Sequence, residues 1–401
     1  MGNDIYCPTR LPFPTQSRSR FLGFHPIWRR RVARLATQAG PIADLADSFP
    51  ALLFALASGH GTRLQRKRAR AHVEMGHSLK AAANALDVPF WLRRIPASAF
   101  TRPLPAMIPR DMEFAVAVSS RLPSRSEDAA IWFDRILFAL TLIGGDFAVW
   151  LAVSGRLAPH RAMDEDFQWL VAWAWHATHP ETAGAKLLRR PWSATLTWKK
   201  ANEEIAIWRK RIDLAATLGD GIRDPWFADG HALGLQVTAL RTVQHFIDES
   251  VTMENCLDQY ARHLTLGRVR VFSVRKAGRS VANLELALRP DDATMPGIVQ
   301  LRGPRNRRVS THVWQAVHAW LGSQPFRAVT GAPTDPACAE STLRALWRPY
   351  LNALASAGAG GGQIVPPEVG RSLRLGGPNP AKAATLLGRS PNAGVRRPDA
   401  P

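Results

Sequence analysis

Three side chains in the second half of the chain are of types that could act together. Cys256 and Tyr260 lie four residues apart in Met253-Glu-Asn-Cys-Leu-Asp-Gln-Tyr260, a spacing that puts a thiol and a phenol on one face of a helix. Glu285 follows in Asn283-Leu-Glu285, Arg275 ends Phe272-Ser-Val-Arg275, and Gln300, Arg302 and Asn306 stand in Gln300-Leu-Arg-Gly-Pro-Arg-Asn306. A thiol, a phenol and a carboxylate are nucleophile and acid/base types. A guanidinium and amides are the donors that grip an anion or a base edge. Cys256, Tyr260 and Glu285 are therefore the catalytic candidates, and Arg275, Gln300, Arg302 and Asn306 the binding candidates.

Two helices and three strands are expected to position them. Leu233, Val237, Leu240 and Ile247 recur at helix spacing; after a break at Asp248-Glu249-Ser250, Met253, Cys256, Leu257, Tyr260 and Leu264 do the same. That second pattern puts Cys256 on an apolar face, where a cysteine packs as a small hydrophobe and stays unreactive. Val269–Val274 alternates, Ala277-Gly278 forms a tight turn, and Ser280–Leu288 puts Ala282, Leu284, Leu286 and Leu288 on one side and Asn283, Glu285 and Arg289 on the other. After a loop at Pro290–Gly297, Ile298–Arg302 forms the third strand, with Val299 and Leu301 inward and Gln300 and Arg302 beside Glu285. Two readings of that polar side stand: a binding site, or a solvated face on which Glu285 and Arg302 pair for well under about 1 kcal/mol. A helix capped by Ser310 or Thr311 carries Val313, Trp314, Val317, Trp320 and Leu321, and another runs from Asp335-Pro336 to about Ala357.

The order of these elements, Cys-x3-Tyr, Phe-Ser-x-Arg, Asn-x-Glu and Gln-x-Arg-Gly-x2-Asn, resembles the PcfJ-like family of bacteria, phages and plasmids over roughly residues 232–323. The family has no settled activity. The resemblance implies a link to mobile genetic elements, and a His directly before the cysteine; this chain has Asn255 there. A thiol without that neighbour lacks a base to activate it.

The 401 residues carry 52 Lys and Arg against 32 Asp and Glu, a net charge of +20 that favours polyanionic partners. Arg outnumbers Lys 44 to 8, and with abundant Ala and Gly this is also what a GC-rich genome produces. Three scattered cysteines suit a reducing cytoplasm, no pair of metal-ligand spacing predicts a zinc site, and no cofactor is expected. The opening residues lack the apolar run of a secretory signal. Ile136–Val153 is nearly long enough to span a membrane, but Gly144-Gly145-Asp146 interrupts it, and two buried helices are expected instead.

Residues 1–40 read as a basic, Pro/Arg-rich arm, and 41–230 as a Trp-rich all-α domain. A PcfJ-like α+β module follows at 231–323, a C-terminal helix at 324–357, and a Gly/Pro/Arg-rich tail at 358–401 that has little to bury and is expected to be disordered. Arg29, Arg30 and Arg31 in the arm and Arg66, Lys67 and Arg70 on a basic helix face are the nucleic-acid candidates, set against a frayed arm and a solvated face. Residues 79–95 superficially suggest a helix-turn-helix, but Trp91, Leu92 and Ile95 in the second helix want a core.

The expected fold is α+β: a mainly α-helical N-terminal domain, then a small module with a three-stranded antiparallel sheet flanked by helices. The expected function is a cytoplasmic, non-enzymatic accessory protein of mobile elements that touches nucleic acid, with other mobile-element proteins as further candidate partners. The alternatives are an enzyme acting on nucleic acid or a nucleotide around Cys256, Tyr260, Glu285 and Arg302, and a protein-interaction scaffold whose basic charge is incidental.

Overall fold

The computed structural model describes residues 20–154, 164–289, 295–325 and 327–357, with isolated positions 365, 366, 369 and 373. Most of the tail at 358–401 and the first part of the basic arm lie outside the described residues. The chain divides into two compact units, Met1–Phe167 with Ser193–Trp198, and Gln168–Trp192 with Lys199–Pro401.

The first unit is helical. Its longer elements include α1 (Pro26–Ala36), α2 (Pro50–Ser58), α3 (Arg63–Glu74), α4 (Leu79–Ala85), α5 (Ser126–Leu142) and α6 (Gly145–Ser154). Edge-on and stacked rings run through its core: Trp28 meets Phe54 at 5.3 Å, Phe54 meets Phe100 at 5.2 Å, and Phe100 meets Phe133 at 5.6 Å. The apolar stretch at 136–153 is two helices parted at Gly144, whose φ of 130° suits only glycine. Among the described residues no helix is long and apolar enough to cross a membrane. The segment after α4 is a short 3-10 turn, Phe90–Arg94, with Leu92 and Ile95 buried, so no second helix is free to enter a groove.

The second unit holds the sheet. Helices α7 (Asp164–Thr178) and α8 (Trp198–Leu218) run into it, followed by β1 (Gly230–Ala232), β2 (Leu235–Ala239) and α9 (Val243–Met253). Then come β3 (Val269–Lys276), β4 (Arg279–Leu288), β5 (Pro296–Arg302), α10 (Thr311–Gly322) and α11 (Pro336–Ser356). The strands form one antiparallel meander in the order β1-β2-β3-β4-β5, five strands instead of three.

The two extra strands replace the helix expected across Leu233, Val237 and Leu240. Leu233 (φ 49°) and Gly234 (φ 77°) make a two-residue hairpin turn with both φ positive, pairing Ala232 with Leu235. Leu235, Val237 and Ala239 are then buried at period two, which outweighs the accidental helix spacing. The third strand also differs. Glu285 pairs with Gln300 but Leu286 pairs with Ile298, so Val299 is the extra residue of a β-bulge. It points outward, 58% exposed, while Ile298 and Leu301 face the core.

One face of the sheet is apolar throughout. Val237, Phe272, Leu284 and Leu301 pack there against Val313, Val317 and Trp320 of α10. Leu301→Ala is therefore expected to lower unfolding free energy by about 2–5 kcal/mol. Val299→Ala should stay within about 0.5 kcal/mol in the same denaturant titration. The reverse order would contradict the bulge.

Candidate functional site

The opposite face carries the polar residues beside an apolar strip at Val269 and Val271, and it is covered, not solvated. Ser273, Asn283 and Glu285 are 0%, 6% and 6% exposed, because α9 and the segment that follows it lie over the strands. Helix α9 runs through Asp248-Glu249-Ser250 without a break and buries Glu249 against the sheet at 2% exposed. A carboxylate taken out of water this far needs donors. It receives Ser273 Oγ at 2.9 Å and Asn283 Nδ2 at 2.7 Å on one oxygen, and Ser280 Oγ at 3.0 Å on the other. Arg275 Nη2 approaches that second oxygen at 3.5 Å, and Arg275 Nε donates to Ser273 Oγ at 3.0 Å. Arg275, a binding candidate from sequence, is thus held to Glu249, away from the other candidates.

The helix expected through Cys256 and Tyr260 does not form. Glu254 turns left-handed at φ 50° and ends α9; a short 3-10 turn at Leu257–Gln259 and a four-residue helix at Ala261–Leu264 follow. This turn swings Cys256 off the apolar face, so the thiol is exposed, a correction to the buried, inert cysteine expected from spacing. Asn255 explains the local shape. Its Nδ2 donates to Asn283 Oδ1 at 2.7 Å and its Oδ1 accepts from Leu257 N at 3.2 Å, fixing the segment to the sheet and starting the 3-10 turn. The residue that departs from the family pattern has both amide ends in structural use.

Tyr260, Glu285 and Gln300 do come together. Tyr260 OH donates to Glu285 Oε2 at 2.8 Å, and Gln300 Nε2 donates to Tyr260 OH at 2.7 Å and to Glu285 Oε2. Burial, and then the Glu285 carboxylate beside it, push the Tyr260 pKa well above the ordinary phenol value, so it stays a donor at neutral pH. Cys256, Arg302 and Asn306 join these three around an open cleft with a cavity volume of ≈ 20 Å³. Arg302 stands opposite Asn283, not Glu285, and is exposed, so no Glu285–Arg302 pair forms. Beyond it, Arg305 (φ 57°) and Asn306 (φ 58°) turn the chain sharply, and Arg305 binds Glu254 through two 2.8 Å bonds. A second brace lies behind the cleft: Arg211 Nε donates to Asp258 Oδ2 at 2.8 Å, both groups buried.

The nucleic-acid candidates lie in the first unit, and several serve internal contacts. Arg29 donates to the carbonyls of Phe24 and Leu22, Arg31 lies 5.2 Å over the Trp28 ring, and α1 is an ordered helix, not a frayed arm. Arg66 donates to the carbonyls of Gly59, His60 and Gly61, and Arg70 meets Glu74 at 3.3 Å. Arg30 and Lys67 are exposed. Arg66, Lys67 and Arg70, with Arg63 and Leu35, line a groove of ≈ 510 Å³. Among the described residues no three His, Cys, Asp or Glu side chains are grouped to hold a metal ion.

Sequence reasoning placed Asn283 beside Glu285 but missed Glu249, Asn255 and Asp258 as parts of this face. The available signal was Glu249 lying one turn from Met253 and three residues from Phe246, a charged residue in an apolar row.

Two measurements check this geometry. Iodoacetamide on the native protein near neutral pH is expected to modify Cys256, and protection of Cys256 until unfolding would put the thiol back in a core. The second uses tyrosine. Burial raises the pKa of both Tyr260 and Tyr350, so their stabilising share is complete below about pH 10, the unfolded value, and is lost as pH rises toward the folded values. Absorbance at 295 nm should therefore show these two ionising only together with alkaline unfolding. Ionisation of Tyr260 near pH 10 in the folded protein would contradict its bond to Glu285.

No curated protein matches the chain. No solved structure matches it either. Residues 227–317, the stretch that contains all five strands, α9 and the cleft, match the family described as PcfJ-like protein, so the sheet and its covered polar face are the PcfJ-like part of this chain.

Proposed function

We propose that the protein is a non-enzymatic, cytoplasmic accessory protein of mobile genetic elements and that its PcfJ-like module contacts nucleic acid at the rim of the cleft. The observation that supports this reading is the turn from Arg302 to Arg308. Arg302, Arg307 and Arg308 are exposed there and none is within ion-pair distance of a carboxylate among the described residues, and the Arg305–Glu254 bond holds the turn that presents them. Three guanidinium groups on a fixed loop are a phosphate-binding arrangement, because each offers a planar fork of donors and stays charged. The net charge of +20 and the basic groove along α3 point to the same class of partner.

A specific observation favours a second reading. The exposed Cys256 thiol opens onto the cleft where Glu285 lies, which is an arrangement for a nucleophile acting on a bound nucleotide. Turnover of a nucleotide that disappears in Cys256→Ala would support that enzyme.

Fluorescence anisotropy with a labelled single-stranded oligonucleotide separates the two. Binding is expected at low salt and should weaken as salt rises, with a slope lost by roughly 2 in log K against log salt when Arg302, Arg307 and Arg308 are all changed to Ala. The triple variant should melt with the wild type, because exposed charges contribute little stability. Unchanged affinity in that variant would remove the turn from the account, and no binding at low salt would end the nucleic-acid reading.

A further inference from the structure

Glu285 has a chemistry that the phosphate-binding rim does not use. Its side chain is 6% exposed, and both bonds from Tyr260 and Gln300 go to one oxygen, Oε2. Oε1 has no hydrogen-bond partner among the described residues and is not among the buried unpartnered atoms, and Glu285 lines the cleft. An acceptor oxygen at the wall of a narrow cleft is paired either by water or by the N–H or O–H donor of a ligand. The ≈ 20 Å³ at the floor of the cleft holds one small group and no ring.

We infer that this is a subsite for the amino group of a nucleobase: in a bound single strand, Glu285 Oε1 accepts from an exocyclic amino hydrogen while Arg302 takes a neighbouring phosphate. The inference rests on the nucleic-acid reading above and adds to it a base preference.

The geometry selects this ligand over others. A cationic peptide would also bring a donor to Glu285, but it would approach past Arg302, Arg307 and Arg308, which repel it. A duplex keeps its amino groups paired, whereas a single strand can turn a base edge into a narrow opening. Among bases, cytosine offers an amino group that a glutamate accepts from. Uracil has a carbonyl oxygen at the same place, so an acceptor would face Glu285 Oε1 there, and its one donor on that edge, N3–H, lies one ring atom away. The site therefore reads amino against carbonyl at one position, and Tyr260 and Gln300 hold the reading oxygen in place by occupying its twin.

Anisotropy with labelled oligo(dC) and oligo(dU) of equal length tests this on the full-length protein, because the two bases differ only along one edge, the 4-amino group and N3 acceptor of cytosine against the O4 carbonyl and N3–H of uracil. The wild type should bind oligo(dC) about tenfold more tightly, the size expected for one hydrogen bond to a charged acceptor. Glu285→Gln keeps the shape and can turn its own amino group to the cleft; there the preference for oligo(dC) should vanish or reverse. Equal, measurable affinity of the wild type for both strands would overturn the subsite while leaving the rim reading intact. Absence of binding to either strand would overturn both. The wild-type comparison decides the matter even if the variant fails to fold.

Discussion

The module depends on two carboxylates taken out of water on one face of a small sheet. Glu249 comes from α9 and Glu285 from β4, and each is at most 6% exposed. An uncompensated charge in such a place costs several kcal/mol, so the neighbouring residues are constrained to supply donors. Ser273, Ser280 and Asn283 do so for Glu249, and Tyr260 and Gln300 for Glu285. The bulge at Val299 belongs to the same requirement. It keeps Gln300 directly opposite Glu285 while letting Ile298 and Leu301 both face the core.

These two acids differ in one respect that bears on function. Both oxygens of Glu249 are engaged, so it acts as a fastener between α9, β3 and β4. Glu285 is engaged through one oxygen only and offers the other to the cleft. The segment that closes over the sheet is fastened at Asn255 to Asn283, at Asp258 to Arg211, and at Glu254 to Arg305. A site built this way is held by its supports before any ligand arrives, which lowers the ordering cost of binding. The exposed groups at its mouth are Cys256 and Arg302.

Much of the sheet was legible in the sequence, because β4 alternates from Ala282 to Leu286 and Ala277-Gly278 announces its turn. Glu285, Gln300 and Arg302 do share one face, and the Cys-x3-Tyr and Gln-x-Arg-Gly elements lie in the stretch that matches the PcfJ-like family. The β1–β2 hairpin was not legible, since Leu233, Val237 and Leu240 fit a helix as well as Leu235, Val237 and Ala239 fit a strand. Its one signal was Leu233-Gly234. Nor does alternation reveal that a polar face is covered. That depends on whether the covering helix brings a polar group of its own, and Glu249 read as a break between helices. Cys256 was misplaced for a related reason: the left-handed residue that ends α9 is Glu254, not a glycine or asparagine, so nothing in the residue type announced it.

The claim that a buried carboxylate organises this face is tested most directly by the unfolding free energy of Glu249→Ala in denaturant titration. Removing the acid strands the Asn283 amide, two serine hydroxyls and the Arg275 guanidinium around an empty space. The account predicts a loss of about 3–5 kcal/mol, with Glu249→Gln losing less because the amide oxygen still accepts. A loss below about 0.5 kcal/mol in Glu249→Ala would contradict it, and would mean that the face is open to water.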